Sequence, residues 1–144
     1  MIKTVRDVLK NKGGEIFSVD ADATVFTALE KMASNDVGAL LVTTDEQLVG
    51  IISERDYARK VILKGLSSPK ATVRDIMTQS VCYARLEQTV EECMAVVTEK
   101  RCRHLPVLDN DALVGVVSIG DLVKASIEEK EFIIGQLENY IKSG

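Results

Sequence analysis

Two seven-residue segments hold the residue types that can do chemistry: Gly50-Ile51-Ile52-Ser53-Glu54-Arg55-Asp56 and Gly115-Val116-Val117-Ser118-Ile119-Gly120-Asp121. In each, an apolar run ends on a hydroxyl and a carboxylate follows three residues later. A hydroxyl beside the unpaired N–H groups of a helix start favours an anion such as phosphate, because the orphan donors and the helix dipole point there. An ionised Asp only accepts hydrogen bonds, which suits the two hydroxyls of a ribose cis-diol. Together these groups describe a nucleotide site. The plainer alternative is that Ser53 and Ser118 are helix N-caps and that Asp56 and Asp121 simply favour the first helical turn. One S-x-x-D would favour that alternative, since the pattern is common; two in register after apolar strands favour the nucleotide.

The elements that must position these segments come as a repeat. Residues 24–59 superimpose on 89–124 without a gap at a constant offset of 65. Upstream, Thr4-Val5-Arg6-Asp7-Val8-Leu9 matches Thr72-Val73-Arg74-Asp75-Ile76-Met77 at an offset of 68, so the first copy carries three extra residues around Gly13-Gly14. Val25, Ala28, Leu29 and Met32 in one copy, and Val90, Cys93, Met94 and Val97 in the other, have the spacing of an apolar helical stripe. Thr89 with Glu92 is a capping-box pattern that starts the second of these helices. The runs 39–42 and 48–52 predict a hairpin, repeated by 105–108 and 113–117 across Asp109-Asn110-Asp111. A further helix follows Asp56 and closes near Gly65, and Gly65-Leu66-Ser67-Ser68-Pro69-Lys70 reads as the linker. The expectation is an α/β (α+β) fold of two tandem βαββα motifs, 1–65 and 66–144, packed as one pseudo-twofold pair with a long C-terminal helix.

Composition narrows the function. A chain of 144 residues, 46% hydrophobic, has enough apolar content to build a core, and its net charge of −4 argues against nucleic acid as a main partner. No apolar run is long enough to span a bilayer, and the start Met1-Ile2-Lys3-Thr4-Val5-Arg6 lacks the core of a secretion signal, so a cytoplasmic location is expected. Cys82, Cys93 and Cys102 are odd in number and scattered, and read as three small core or edge thiols rather than a disulfide framework. Arg101 and Arg103 would stabilise a thiolate at Cys82 or Cys102, a redox role ranked below that plain reading. His104 is the only histidine, so no metal site is expected. There is no G-x-x-x-x-G-K-[ST] loop, no G-x-G-x-x-G fingerprint and no nucleophile with a base and an orienting group, so no catalytic residues and no enzyme activity are expected.

The D-x-T-V and E-x-T-V helix entries at 22–25 and 87–90, the Arg103-His104-Leu105-Pro106-Val107 strand and both G-h-h-S-x-x-D segments make the chain similar to the CBS-domain family, named after cystathionine β-synthase. It most resembles the stand-alone bacterial type, a single pair known as a Bateman module. The resemblance implies a regulatory, signal-transducing module whose two clefts bind AMP, ADP or ATP, with NAD or S-adenosylmethionine as further ligands. It implies that Asp56 and Asp121 bind ribose hydroxyls, with Ser53 and Ser118 near the ribose or phosphate. It also implies that the Asp56 cleft is completed by Val81, Cys82, Cys102, Arg103 and His104, and the Asp121 cleft by Ile16, Phe17, Val37, Gly38 and Ala39. With Ile51, Val116 and Gly120, the apolar members of these sets would surround the adenine.

On that geometry the Asp56 cleft collects Arg55, Arg103 and His104 and is the better match for a phosphate tail. The Asp121 cleft, with Gly120 in place of Arg55 and Gly38 in place of Arg103, takes a less anionic ligand. Arg59 and Lys60 read as a solvated face with helix pairs to Glu54 or Asp56. Leu122, Ile127, Ile134, Leu137 and Ile141 mark an amphipathic tail helix, which covers its own core or packs on a partner. The resemblance implies a homodimer through such helices, and a regulatory output would pass to a separate protein target. The competing expectation is an interaction scaffold with vestigial clefts.

Overall fold

The computed structural model describes residues 2–13, 15–65, 69–79 and 81–143. Leu66–Ser68 of the expected linker and Gly14 of the expected insertion lie outside them. Two compact units result: a continuous one, Ile16–Val81, and a composite one made of Met1–Glu15 with Cys82–Gly144. These units cut across the sequence repeat, because each leading segment packs with the body of the other copy.

In the continuous unit, β1 (Ser18–Asp20) lies parallel to β2 (Ala39–Thr44), which pairs antiparallel with β3 (Gln47–Ser53). The hairpin turns through Asp45 and Glu46, both with positive φ, the geometry of a tight turn whose twist matches its strands. Helix α2 (Val25–Asn35) starts at Thr24, whose hydroxyl accepts from the Thr27 N–H, and buries Val25, Ala28 and Met32 of the expected stripe. After β3, α3 (Glu54–Tyr57) passes into a π-helical turn, Ala58–Ile62, so the expected single helix changes its hydrogen-bond step partway. The leading segment of the second copy, α4 (Val73–Ile76), adds Val73 and Ile76 to this core of Val25, Ala28, Leu40, Val42 and Ile52.

The composite unit repeats the pattern. β4 (Ala84–Arg85) is parallel to β5 (His104–Asp109), which pairs antiparallel with β6 (Ala112–Ser118). The hairpin turns at Asn110 and Asp111, again with positive φ. Helix α5 (Val90–Lys100) begins with the expected capping box, in which the Glu92 carboxylate accepts from the Thr89 N–H and the Thr89 hydroxyl accepts from the Glu92 N–H. The first residues of the chain form α1 (Val5–Lys12), and Val5 and Val8 join Val90, Val97, Leu105, Val107 and Leu122 in the core.

Both leading segments dock by the same bonds. The Val5 N–H donates to the Gln88 carbonyl and the Arg6 N–H to that of Leu86; the Val73 N–H donates to Ala23 and the Arg74 N–H to Ala21. An ion pair accompanies each, Arg6 with Glu87 at 3.4 Å and Arg74 with Asp22 at 3.1 Å. The acidic residue of each helix entry therefore recruits a leading-segment arginine.

Helix α6 (Ile119–Ser143) is the expected long tail helix, but the stripe read from the sequence is buried only at its start. Leu122 is fully buried, whereas Ile127, Ile134, Leu137 and Ile141 are all more than half exposed. Lys3 fixes the beginning of this helix through its backbone N–H to the buried Glu129 and its ammonium to Glu128.

The cysteines need correction. Cys93 is a buried free thiol as expected, but Cys82 and Cys102 form a disulfide. Arg101 ends α5 in the left-handed conformation, and the chain turns so that the Cα of Cys102 lies 6.4 Å from that of Cys82. That separation is within the range a disulfide spans, and sequence spacing alone does not reveal it.

Candidate functional site

Both S-x-x-D segments fold identically at first order: the serine ends the third strand and the aspartate sits in the first turn of the helix that follows. At Asp56, the carboxylate Oδ2 accepts from the Ser53 N–H (2.9 Å) and hydroxyl (3.1 Å), while the Asp56 N–H donates back to Ser53 Oγ (3.2 Å). At Asp121, Oδ2 accepts from the Ser118 N–H (2.8 Å) and the Asp121 N–H donates to Ser118 Oγ (3.1 Å). These are capping boxes, so the plainer structural role is present in both copies. A carboxylate has room for about four donors, and the capping box leaves part of that room at Asp121 for Lys12 and for a ligand, whereas at Asp56 the Ser53 N–H and hydroxyl, Thr78 and Lys60 together supply four.

What surrounds the two carboxylates differs. Helix α4 stops after one turn, and Thr78 then bridges to Ile51, donating to the Ile51 carbonyl (2.8 Å) and accepting from its N–H (3.0 Å). From there its hydroxyl reaches Asp56 Oδ1 at 3.2 Å, and Lys60 reaches the same oxygen at 3.2 Å from one helical turn on. Helix α1 runs twice as long, eight residues against four, and its last residue replaces the bridge. The Lys12 ammonium donates to the Val116 carbonyl (2.8 Å), the position equivalent to Ile51, and to Asp121 Oδ2 (2.7 Å). Partial burial pushes the Asp121 pKa up, but the bonds from Lys12 and Ser118 and the Lys12 charge outweigh it and hold the carboxyl below its ordinary value.

A cavity of about 230 Å³ opens beside Asp121 within the composite unit, lined by Lys3, Lys12 and Lys124 together with Asp121 and Glu128. Three ammonium groups with two carboxylates suit a ligand that is anionic at one end and carries hydroxyls at the other. Apart from Asp121, this cavity is lined by residues other than those expected to complete the Asp121 cleft. Lys3, Lys12 and Lys124 were not among the residues singled out in the sequence.

The remaining candidates divide by unit. In the composite unit the ladder sets His104 opposite Ser118, and the Ile119 N–H donates to the Arg103 carbonyl at 2.9 Å, so Arg103 and His104 adjoin the Ser118–Asp121 segment. Cys82 and Cys102 pack partly buried against the core, Val116 is half-buried and Gly120 is exposed, while Val81, also half-buried, is the last residue of the continuous unit. In the continuous unit Ala39 faces Ser53 across the ladder, and the Glu54 N–H donates to the Gly38 carbonyl at 3.0 Å. Phe17 and Val37 pack on the core from its edge, Ile51 is half-buried, and Ile16 and Arg55 are exposed. Among the described residues no cluster of three or more His, Cys, Asp or Glu side chains is placed to hold a metal ion, and no helix is long and apolar enough to cross a membrane.

Known proteins share this fold. The family model described as the CBS domain matches residues 4–63 and 73–128. The chain is 39% identical over 150 residues to the mitochondrial CBS domain-containing protein CBSX3 of Arabidopsis thaliana, covering 98% of this chain and 73% of that protein. A CBS-domain protein of Burkholderia ambifaria has a solved structure that superimposes with a TM-score of 0.84 at 46% identity, covering 88% of this chain and 95% of that one. Another solved CBS domain gives a TM-score of 0.83 at 48% identity, covering 88% and 99%.

Proposed function

The chain belongs to the CBS-domain family, whose domain pairs are generally regulatory or ligand-binding modules, and from that premise we propose that it is a non-catalytic sensor of adenosine-containing ligands. In this reading Asp56 and Asp121 each receive the hydroxyls of a ribose. Ser53, Ser118, Arg55, Arg103 and His104 supply contacts to ribose or phosphate, and AMP, ADP and ATP are the first candidates, with NAD and S-adenosylmethionine behind them. The observation that carries the reading is the arrangement at Asp121, where an acceptor carboxylate held in place by Ser118 stands beside three lysines around an open cavity. At about 230 Å³ that cavity matches a ribose phosphate better than a whole drug-sized ligand, for which pockets of about 300–1,000 Å³ are usual. Lys12 then has two partners to choose from, its own carboxylate or an incoming phosphate.

The exposed face of α6 supports the second part of the proposal, a homodimer. Val123, Ile127, Ile134, Leu137 and Ile141 fall on the a and d positions of a heptad, interrupted only by Lys130, and all five apolar residues are exposed. A seam with period 3.5 is complementary to another helix of the same pattern, and a second copy of this chain supplies one. The matched family region ends at residue 128, so most of this seam lies beyond it.

Calorimetric titration of the full chain with AMP, ADP, ATP, NAD and S-adenosylmethionine tests the sensor. Saturable binding of at least one is expected, with Asp56→Asn and Asp121→Asn each weakening it by about 1–3 kcal/mol, the range for a charge-assisted acceptor. No heat and no thermal shift with any of the five would discard the sensor in favour of the scaffold.

A further inference from the structure

We propose that Cys82 and Cys102 are a reversible thiol–disulfide site that clasps the edge strand of the composite unit. The reason lies in what the second copy lacks. In the continuous unit the chain ahead of β1 is tied to the sheet by the Leu41 N–H, which donates to the Phe17 carbonyl at 3.1 Å. Shifted by the repeat, Phe17 becomes Cys82 and Leu41 becomes Pro106, which has no N–H to give. The pairing of Ser18 with Leu41 accordingly has no counterpart, and β4 keeps two ladder positions where β1 has three. The disulfide joins the two positions whose equivalents, Phe17 and Val37, both pack against the core in the first copy. A covalent bond stands where the other unit uses a backbone hydrogen bond and apolar packing.

The surroundings suit exchange rather than a sealed bond. Both sulfur-bearing residues are half-buried at the edge of the core, and Cys102 is flanked in the chain by the exposed Lys100, Arg101 and Arg103. Such charge stabilises a leaving thiolate and draws in an anionic thiol of the glutathione class. Cys93 is kept out of the exchange, since it is buried and burial pushes its thiol up. In the opening step a glutathione thiolate attacks one sulfur; a mixed disulfide forms, the Sγ–Sγ bond breaks, and the other cysteine leaves as a thiolate that takes a proton from water. A second glutathione thiolate attacks the mixed disulfide, releasing the first cysteine and oxidised glutathione, so two electrons pass from two glutathiones to the protein. Closing is the reverse. The inference stands on the cysteine pair alone, whatever ligand the chain takes.

The full chain, equilibrated across reduced-to-oxidised glutathione ratios, trapped with N-ethylmaleimide and peptide-mapped, tests this. Cys82 and Cys102 should gain label together in one two-electron transition under native conditions, with Cys93 unlabelled until the protein is denatured. Amide exchange over residues 82–84 should accelerate on reduction by on the order of tenfold, that of α5 remaining unchanged. Cys102→Ser should show the fast exchange in every buffer. Independent labelling of the two cysteines, reduction only in denaturant, a disulfide between chains, or exchange indifferent to redox state would each overturn the proposal.

Discussion

Lys12 and Thr78 perform one task with different chemistry: each occupies a backbone carbonyl at the end of the third strand and then reaches the neighbouring aspartate. The cation leaves a titration signature. Because the folded-state pKa of Asp121 lies below its ordinary value, the ionised form is favoured in the fold; its contribution to stability is present above the unfolded-state pKa and fades as pH falls through the folded one. Lys12→Met removes both the bond and the charge, so the Asp121 pKa should rise, read by NMR titration of the side-chain carboxyl, and the acid limb of the stability profile should shrink. An unchanged pKa would show that Ser118 alone holds the carboxylate. The sequence made Ser53, Asp56, Ser118 and Asp121 visible because they recur at a fixed spacing. Lys12 was invisible for the opposite reason: it lies 109 residues from Asp121, and its reach depends on a helix twice the length of its counterpart.

Each leading element presses on a glycine of the strand beneath it. A methyl group on Gly50 would come 2.8 Å from the Thr78 carbonyl and 2.9 Å from Met77 Sδ, and one on Gly115 would come 2.8 Å from the end of the Leu9 side chain. A carbonyl locked in the bridge to Ile51 cannot yield as a leucine tip can. Gly50→Ala should therefore cost about 1–3 kcal/mol by chemical denaturation, the range for overpacking, and loosen the Thr78 contact to Asp56. Gly115→Ala should stay within about 1 kcal/mol of wild type, because a less flexible unfolded chain offsets the adjustment of Leu9. Equal losses would mean that the two contacts are equally rigid. At this scale much was legible: the helix stripes, the capping box at Thr89 and Glu92 and both hairpins are local patterns, set by neighbours within a few residues. The π-helical turn at Ala58–Ile62 and the Cys82–Cys102 bond were not, since neither follows from periodicity.

For the molecule as a whole, the proposed dimer makes its own demand. Ile134→Asp places a charge in the middle of the seam, where Ile134 is more than half exposed in a single chain and so has no core of its own to lose. Light scattering should fall from the mass of two chains to that of one, with the helical signal retained; a single-chain mass already in the unaltered protein would remove the dimer. The offset of the leading segments from the repeat was readable, but the copy on which each docks was not, because Thr4-Val5-Arg6-Asp7 and Thr72-Val73-Arg74-Asp75 offer nearly identical donors to nearly identical acceptors. That exchange orders events during synthesis. The continuous unit has all its parts once residue 81 has emerged, whereas residues 4–12 leave the ribosome before that unit and must wait for residues 82–143 before they meet the strands that receive them. Through that interval Val5 and Val8, fully or nearly fully buried in the finished fold, lack the core that covers them, which makes residues 4–12 a segment for a chaperone to shield.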